Sequence, residues 1–195
     1  MIHMDMGKTL LVIVGVLAFI VLIIVVWFIG TYNSLVSTDQ TVNEKWSQVE
    51  NQYQRRADLI PNLVETVKGY AAHESKIFID VAEARSQWAS AKTQGEKIKA
   101  AEGMDSALSR LMVVVENYPQ LKASENFVAL QAQLEGTENR VTVARMDYNT
   151  AVKDYNVKIK TIPTSIVAGV YGYNDKPFFE AEKGSEKAPK VNFTS

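Results

Sequence analysis

Apolar and polar residues divide the chain into two regions of different pattern. Leu10 to Ile29 is an unbroken apolar run, whereas beyond Gly30 apolar residues recur mainly at helical intervals of three and four. At about 1.5 Å of rise per residue the run is about 30 Å long, which matches the hydrocarbon core of a bilayer. The pattern predicts one N-terminal transmembrane helix followed by an amphipathic, all-α region.

The apolar run is predicted to remain as an uncleaved anchor. A signal peptide would have a shorter apolar region and small residues at its cleavage site, whereas this run ends in Trp-Phe-Ile-Gly-Thr-Tyr. Trp27 suits the interfacial belt in which aromatic rings lie among lipid head groups. The residues predicted to anchor the chain are Leu10, Val14, Leu17, Ile20, Ile24, Trp27 and Ile29.

Four amphipathic helices are predicted after the anchor. The first follows the capping cluster 37–39 and is expected to end or bend at Pro61, because proline cannot donate to the preceding turn. The next two end near Gly95 and Pro119, and the longest covers about 124–160.

The apolar stripes of these helices follow nearly a seven-residue repeat, which predicts shallow left-handed crossings of about 20°. Short reversals at 71–74, 94–95 and 119–123 favour an elongated antiparallel bundle with coiled-coil-like packing inside one chain. The same stripes would also serve an intermolecular coiled coil, and the sequence leaves both arrangements open.

The predicted organisation has five parts. They are a leader (1–9), the anchor (10–29), the bundle (30–160), an apolar C-terminal segment (161–180) and a charged, disordered tail (181–195). The segment 161–180 contains prolines, glycines and aromatic residues and fits no helix period well, although Pro163 with Thr164 and Ser165 could start one more helical turn. We expect it to fold over its own bundle or over a neighbouring subunit.

Composition argues against nucleic-acid binding and against most catalytic chemistry. The 21 basic and 22 acidic residues nearly cancel, so no positive excess is available for a phosphate backbone. The chain has no cysteine, and its two histidines, His3 and His73, are far apart in sequence. We therefore expect no cofactor, no metal and no enzyme. A hydrolase using carboxylates such as Glu65 and Asp80 is the least favoured alternative.

The densest polar stretch is 51–58, just before Pro61. Its ordinary interpretation is a solvated helix face with local pairs such as Arg55 with Asp58. The alternative is an arginine-rich surface that binds a partner's carboxylates. The candidate interaction residues are Trp46, Tyr53, Arg55, Arg56, Asp58 and Pro61.

Several blocks of sequence resemble the LemA family of bacterial membrane proteins. The longest is WSQVENQYQRRADLIPNLVETVKGY, from Trp46 to Tyr70. The others are TYNSLV at 31–36, the stretch 125–140, the Tyr-Asn pairs at 148–149 and 155–156, and the stretch 168–179. The resemblance implies long antiparallel helices behind an N-terminal anchor. It implies little about activity, although the family includes a magnetosome-membrane protein linked to membrane invagination.

The pattern and the resemblance together predict a single-pass protein of the bacterial inner membrane. We expect a non-catalytic homo-oligomeric scaffold that organises or remodels membrane, with the lipid bilayer and other membrane proteins as partners. The alternative is an anchored adaptor that presents clients to a neighbouring membrane protease or signalling protein. Charges flanking the anchor favour a bundle outside the cell, whereas the resemblance implies a bundle inside, so orientation stays open.

Overall fold

The computed structural model describes residues 6–180, and within that range it contains six helices and no strand. The described chain is therefore all-α, as the helical spacing predicted. The helices are α1 (Met6–Lys68), α2 (Ser75–Ser90), α3 (Gln94–Val115), α4 (Pro119–Lys122), α5 (Glu125–Lys160) and α6 (Thr164–Tyr171). Positions 1–5 of the predicted leader and the predicted disordered tail, 181–195, lie outside the described residues.

Helix α1 joins the predicted anchor to the first predicted bundle helix without a break. The prediction that 37–39 cap a new helix is wrong. Thr38 Oγ1 donates to the carbonyl of Ser34 (2.8 Å) and Thr41 Oγ1 to that of Ser37 (3.0 Å), which is how these side chains bond inside a helix. The apolar run and the amphipathic stripe therefore belong to one helix.

Helix α1 also continues through Pro61, where the sequence predicted an end or a bend. Proline has no N–H to donate to the carbonyl of Ala57, four residues earlier. The Arg85 side chain of α2 supplies the missing donor, with 3.0 Å between its Nε and the Ala57 oxygen. The Arg85 contact gives the Ala57 carbonyl the hydrogen bond that the helix backbone cannot supply. Helix α1 continues to Lys68.

The chain forms two compact units. Among the described residues, the first unit comprises 6–44 with 150–176, and the second comprises 45–149 with 177–180.

The second unit contains the α2–α3 hairpin. A capping box between Thr93 and Glu96 starts α3 at Gln94, so the reversal lies at 91–93 and not at the predicted 94–95. The Lys97 ammonium lies 4.3 Å from the ring centre of Trp88, near the start of α3 and the end of α2. Near the other ends Arg110 pairs with Asp80 at 3.6 Å. This order of contacts is that of two antiparallel helices.

The predicted loop at 119–123 contains α4, a single turn with proline at its start. Ser124 then caps α5, because its Oγ accepts a hydrogen bond from the Phe127 N–H at 3.4 Å. The core of the second unit is formed by apolar residues that are at most 2% exposed, including Val49, Leu63, Val67, Val81, Trp88, Ala101, Met104, Leu111, Leu121, Phe127 and Val141.

The first unit has its own small core. It is formed by Leu35, Val42, Val152, Tyr155, Ile159, Val167 and Ala168. Helix α6 ends at Gly172, whose φ of 72° lies in the left-handed region that glycine adopts without strain. The chain then continues without helix from 173 to 180.

Candidate functional site

A partly buried ionic cluster joins three helices of the second unit. Asp105 of α3 accepts hydrogen bonds from two residues of α1, Tyr53 (2.8 Å from Oη) and Arg56 (2.5 Å from Nη1). Arg145 of α5 pairs with Asp105 and donates to the Tyr53 hydroxyl oxygen, and Arg56 also pairs with Glu138 of α5. Two guanidinium groups and a phenol therefore share one carboxylate.

Burial gives this cluster a structural role. The side chain of Arg56 is 7% exposed and that of Asp105 is 13% exposed, so each charge depends on its partner. Desolvation lowers the pKa of Arg56, and the adjacent Asp105 carboxylate opposes that shift. With its oxygens occupied by three donors, Asp105 is suited to holding α1, α3 and α5 in register.

The ring of Phe179, in the C-terminal segment, packs beside this cluster. It lies 6.1 Å from the Trp46 ring and 6.4 Å from the Tyr53 ring, between centroids, and is nearly parallel to the latter. The Arg145 guanidinium carbon is 4.8 Å from the Phe179 centroid, within the range of a cation–π contact. Phe179 is 6% exposed and shields the charged group beside it.

The backbone of the same segment is held by a Tyr-Asn pair of α5. Asn149 donates from Nδ2 to the Phe179 carbonyl and accepts the Phe179 N–H at Oδ1, each at 2.9 Å. Tyr148 donates to the carbonyl of Pro177 at 2.8 Å, and burial raises the pKa of Tyr148 to about 12. One asparagine thus satisfies both backbone polar groups of one residue of the extended segment.

The first unit repeats this chemistry with the second Tyr-Asn pair. Asn156 donates to the carbonyl of Lys176 (3.0 Å) and accepts its N–H (2.9 Å), while Tyr155 donates to the carbonyl of Asn174 (3.1 Å). The Lys176 ammonium pairs with Asp39 of α1 at 2.7 Å. In the described chain the C-terminal segment therefore packs on its own helices, which is one of the two arrangements that the sequence left open.

The structure separates the six candidate interaction residues. Trp46, Tyr53 and Arg56 are buried, so in this fold they are not available to a partner. Trp46 and Tyr53 also lie in the apolar stripe of α1. Arg56 is shielded from water within the ionic cluster. Arg55, Asp58 and Pro61 are exposed, and only these three keep the geometry of a contact surface.

Other interacting residues gave a weak sequence signal or none. Asp105 and Arg145 are single charged residues within helical patterns, which are typical of a solvated face, and they meet only when three helices pack. Arg85 resembles any surface arginine. The seven-residue repeat of Tyr-Asn at 148–149 and 155–156 is visible in the sequence, but the sequence does not indicate that these pairs hold the C-terminal backbone.

An open groove of about 550 Å³ lies on the outer side of α1 and α5 in the second unit. Its lining residues are Arg55, Asp58, Leu59, Ala132, Gln133, Gly136, Thr137 and Arg140. It thus combines two of the predicted charged residues on α1, Arg55 and Asp58, with Arg140 on α5, which is not among the predicted candidates.

Glu65 and Asp80, the carboxylates proposed for hydrolysis, each belong to a separate ion pair. Glu65 pairs with Lys68 at 3.0 Å and its side chain is 74% exposed. Asp80 belongs to the ion pair with Arg110. Among the positions that the structure describes, no group of three or more His, Cys, Asp or Glu side chains is arranged to hold a metal ion.

Most anchor residues form an exposed apolar surface, and the exception is Phe28, whose ring lies 6.2 Å from that of Tyr171. The 18-residue window that marks this span has a mean hydropathy of 3.4, and none of it is buried. The predicted anchoring residues Leu10, Val14, Leu17, Ile20, Ile24, Trp27 and Ile29 are between 39% and 63% exposed. Such a surface is stable in lipid and unfavourable in water.

These features define an α-helical membrane protein with an N-terminal apolar helix. The chain belongs to the LemA family, whose model matches residues 45–193. Magnetosome protein MamQ 2 of Paramagnetospirillum magneticum is 29% identical, over 86% of this chain and 72% of that protein. Magnetosome protein MamQ of Magnetospirillum gryphiswaldense is 26% identical over 82% and 68%. Protein LemA of Metamycoplasma hominis is 24% identical over 80% and 72%.

Proposed function

We propose that the protein is a non-catalytic, single-pass scaffold of the bacterial inner membrane that self-associates and so organises or remodels the bilayer. The observation that carries this proposal is the uncovered apolar surface of α1. Apart from Phe28, the large apolar side chains from Leu10 to Ile29 are 39–74% exposed. The same helix continues into the second unit, where Tyr53 and Arg56 join the ionic cluster. Any assembly of the second unit is thereby linked through one helix to the membrane.

Self-association is supported by an apolar face of α5. Val128, Val143 and Met146 are 51%, 55% and 62% exposed. At 100° per residue they fall within about 60° of one another around the helix axis. Apolar side chains grouped on one face of a long helix favour contact with a second copy.

The proposal of a non-catalytic protein is supported by the structural contacts that the polar side chains make. Asp105 is bound by three donors, and Asn149 and Asn156 hold backbone groups. These contacts stabilise the fold and leave those groups little freedom to take part in a reaction.

The proposal is tested by reconstituting the purified full-length chain into phosphatidylcholine vesicles and imaging them by cryo-electron microscopy. We expect protein clusters and deformed vesicles at high protein density. Val143→Lys with Met146→Lys should abolish the clusters, whereas Val113→Lys, at a 68% exposed position of α3, should not. Dispersed protein in undeformed vesicles at every density would contradict the proposal.

A second candidate, the anchored adaptor, is favoured by the exposed groove that contains Arg55 and Asp58. A charged groove on the second unit offers a partner a defined position close to a membrane-anchored helix. Arg55→Glu should reduce co-purification of other membrane proteins, and Arg110→Glu should leave it unchanged. Equal recovery of partners with both variants would remove the groove as the contact.

A further inference from the structure

Two arginines in the groove have no charge partner among the described residues. Arg55 of α1 and Arg140 of α5 both line it, and neither makes an ion pair or hydrogen bond with another described residue. By contrast, Arg56, Arg110 and Arg145 each pair with a carboxylate. Two guanidinium groups without an ion-pair partner on one groove favour the binding of an anion.

Gly136 provides a second, independent observation. It lies in the interior of α5, where glycine costs about 1 kcal/mol relative to alanine. An added Cβ would meet only the Arg140 guanidinium, at 3.7 Å from Nη2 and 3.9 Å from Nη1. No neighbouring helix needs the missing side chain, and its absence leaves open space beside an unpaired guanidinium.

The lining also indicates what kind of anion fits. Asp58 contributes a carboxylate that accepts from Gln54 Nε2 at 2.8 Å, so the groove holds two positive charges and one negative charge. That balance suits a single carboxylate better than a multiply charged phosphate, which Asp58 would repel. Leu59 and Ala132 add apolar surface, and guanidinium groups bind planar carboxylates through paired N–H donors.

We propose that this groove is a docking site for an acidic segment of another protein. One carboxylate of the segment binds Arg55 and Arg140 in the space beside Gly136, and an apolar group of the segment packs on Leu59. The inference rests on the adaptor function and names the chemistry of its partner. It does not depend on self-association.

The test measures binding of a fluorescein-labelled peptide of alternating glutamate and alanine to the full-length protein in phosphatidylcholine nanodiscs, by fluorescence anisotropy. We expect the glutamate peptide to bind at least about tenfold more tightly than its glutamine counterpart. Arg55→Gln and Arg140→Gln should each weaken binding about tenfold, because each removes a charge-assisted hydrogen-bond donor. Arg110→Gln is the matched control and should have no effect.

Gly136 supplies a pair of variants that separates blocking from misfolding. Gly136→Ala adds a Cβ that the structure accommodates and should bind within about twofold of the wild type, since helix propensity improves. Gly136→Glu places a carboxylate of the chain itself beside Arg140 and should abolish peptide binding. Its thermal midpoint should not fall below that of the wild type, because glutamate also favours helix over glycine.

Three results would overturn the proposal. The first is no difference between the glutamate and glutamine peptides. The second is equal binding by the wild type, Arg140→Gln and Gly136→Glu. The third is that vesicles containing phosphatidylglycerol bind in an Arg55- and Arg140-dependent way while the peptide does not, which would assign the groove to lipid. The mass of each variant is measured in parallel, so loss of self-association is recognised separately from loss of docking.

Discussion

Asp105 is the residue on which the buried charges of the second unit depend. Arg56 and Arg145 reach it from different helices, and Tyr53 donates to it as well. An arginine buried without its carboxylate is strongly destabilising, because its desolvation is then uncompensated. The cluster therefore makes the register of three helices depend on one side chain.

Asp105→Asn should lower the free energy of unfolding by about 3 kcal/mol or more, since two guanidinium groups lose their shared charge partner. Guanidinium-induced unfolding of the detergent-solubilised protein, followed by tryptophan fluorescence, measures this. The matched control is Asp80→Asn, whose partner Arg110 is 58% exposed, and it should cost less than about 1 kcal/mol. Similar losses of unfolding free energy in both variants would show that the cluster stabilises the fold no more than an exposed ion pair does.

Arg85 and Pro61 should be energetically coupled. Arg85→Met leaves the Ala57 carbonyl without its donor and should cost about 1 to 2 kcal/mol. In a Pro61→Ala background the new backbone N–H can donate to the Ala57 carbonyl. Arg85→Met should then cost only a few tenths of a kcal/mol. A double-mutant cycle measures the coupling, and additive effects would contradict this explanation of the continuous helix.

Residue-level prediction from sequence succeeded where spacing carries the information. Trp46 and Tyr53 fall on the apolar stripe of α1 and are core residues, although they were also named as candidates for a surface. Burial of Arg56 could not be recognised from the sequence, because burial of a charge depends on partners such as Asp105 from helices distant in sequence. Gly136 looked like an ordinary helix glycine until the space beside Arg140 was known.

Among the elements, the helices were predictable and several of their ends were not. The apolar period identified α2, α3 and α5, because long amphipathic patterns leave few alternatives. Local signals misplaced boundaries: residues 37–39 resemble a cap but lie inside α1, and the Arg85 contact lets α1 continue through Pro61. Residues 173–180 of the C-terminal segment have no helical period, because side chains of α5 hold their backbone.

We expect the two Asn149 hydrogen bonds to contribute most to holding the C-terminal segment in the second unit. Asn149→Asp keeps an acceptor for the Phe179 N–H but removes the donor to its carbonyl and places a negative charge beside that oxygen. We expect amide hydrogen exchange at Phe179 to accelerate at least about tenfold, while Asn139→Asp on the exposed face of α5 leaves it unchanged. Unaltered protection in Asn149→Asp would mean that ring packing of Phe179 suffices.

The described chain combines a lipid-compatible surface with a helical region that presents both an apolar face and a charged groove. Sequence alone predicted the anchor and the all-α class, because a long apolar run and sustained helical periods are strong signals. It left the partners open. Self-association through α5 and docking of an acidic segment use different residues, so one can fail while the other holds.

The most direct test of self-association is the mass of the full-length chain after detergent extraction, measured by multi-angle light scattering over a range of concentrations. We predict that the wild-type protein has a mass of at least two chains, each of 21.7 kDa. Val143→Lys with Met146→Lys should reduce it toward one chain, because each lysine must leave an apolar contact for water. A wild-type protein that stays at 21.7 kDa at every concentration would contradict the account.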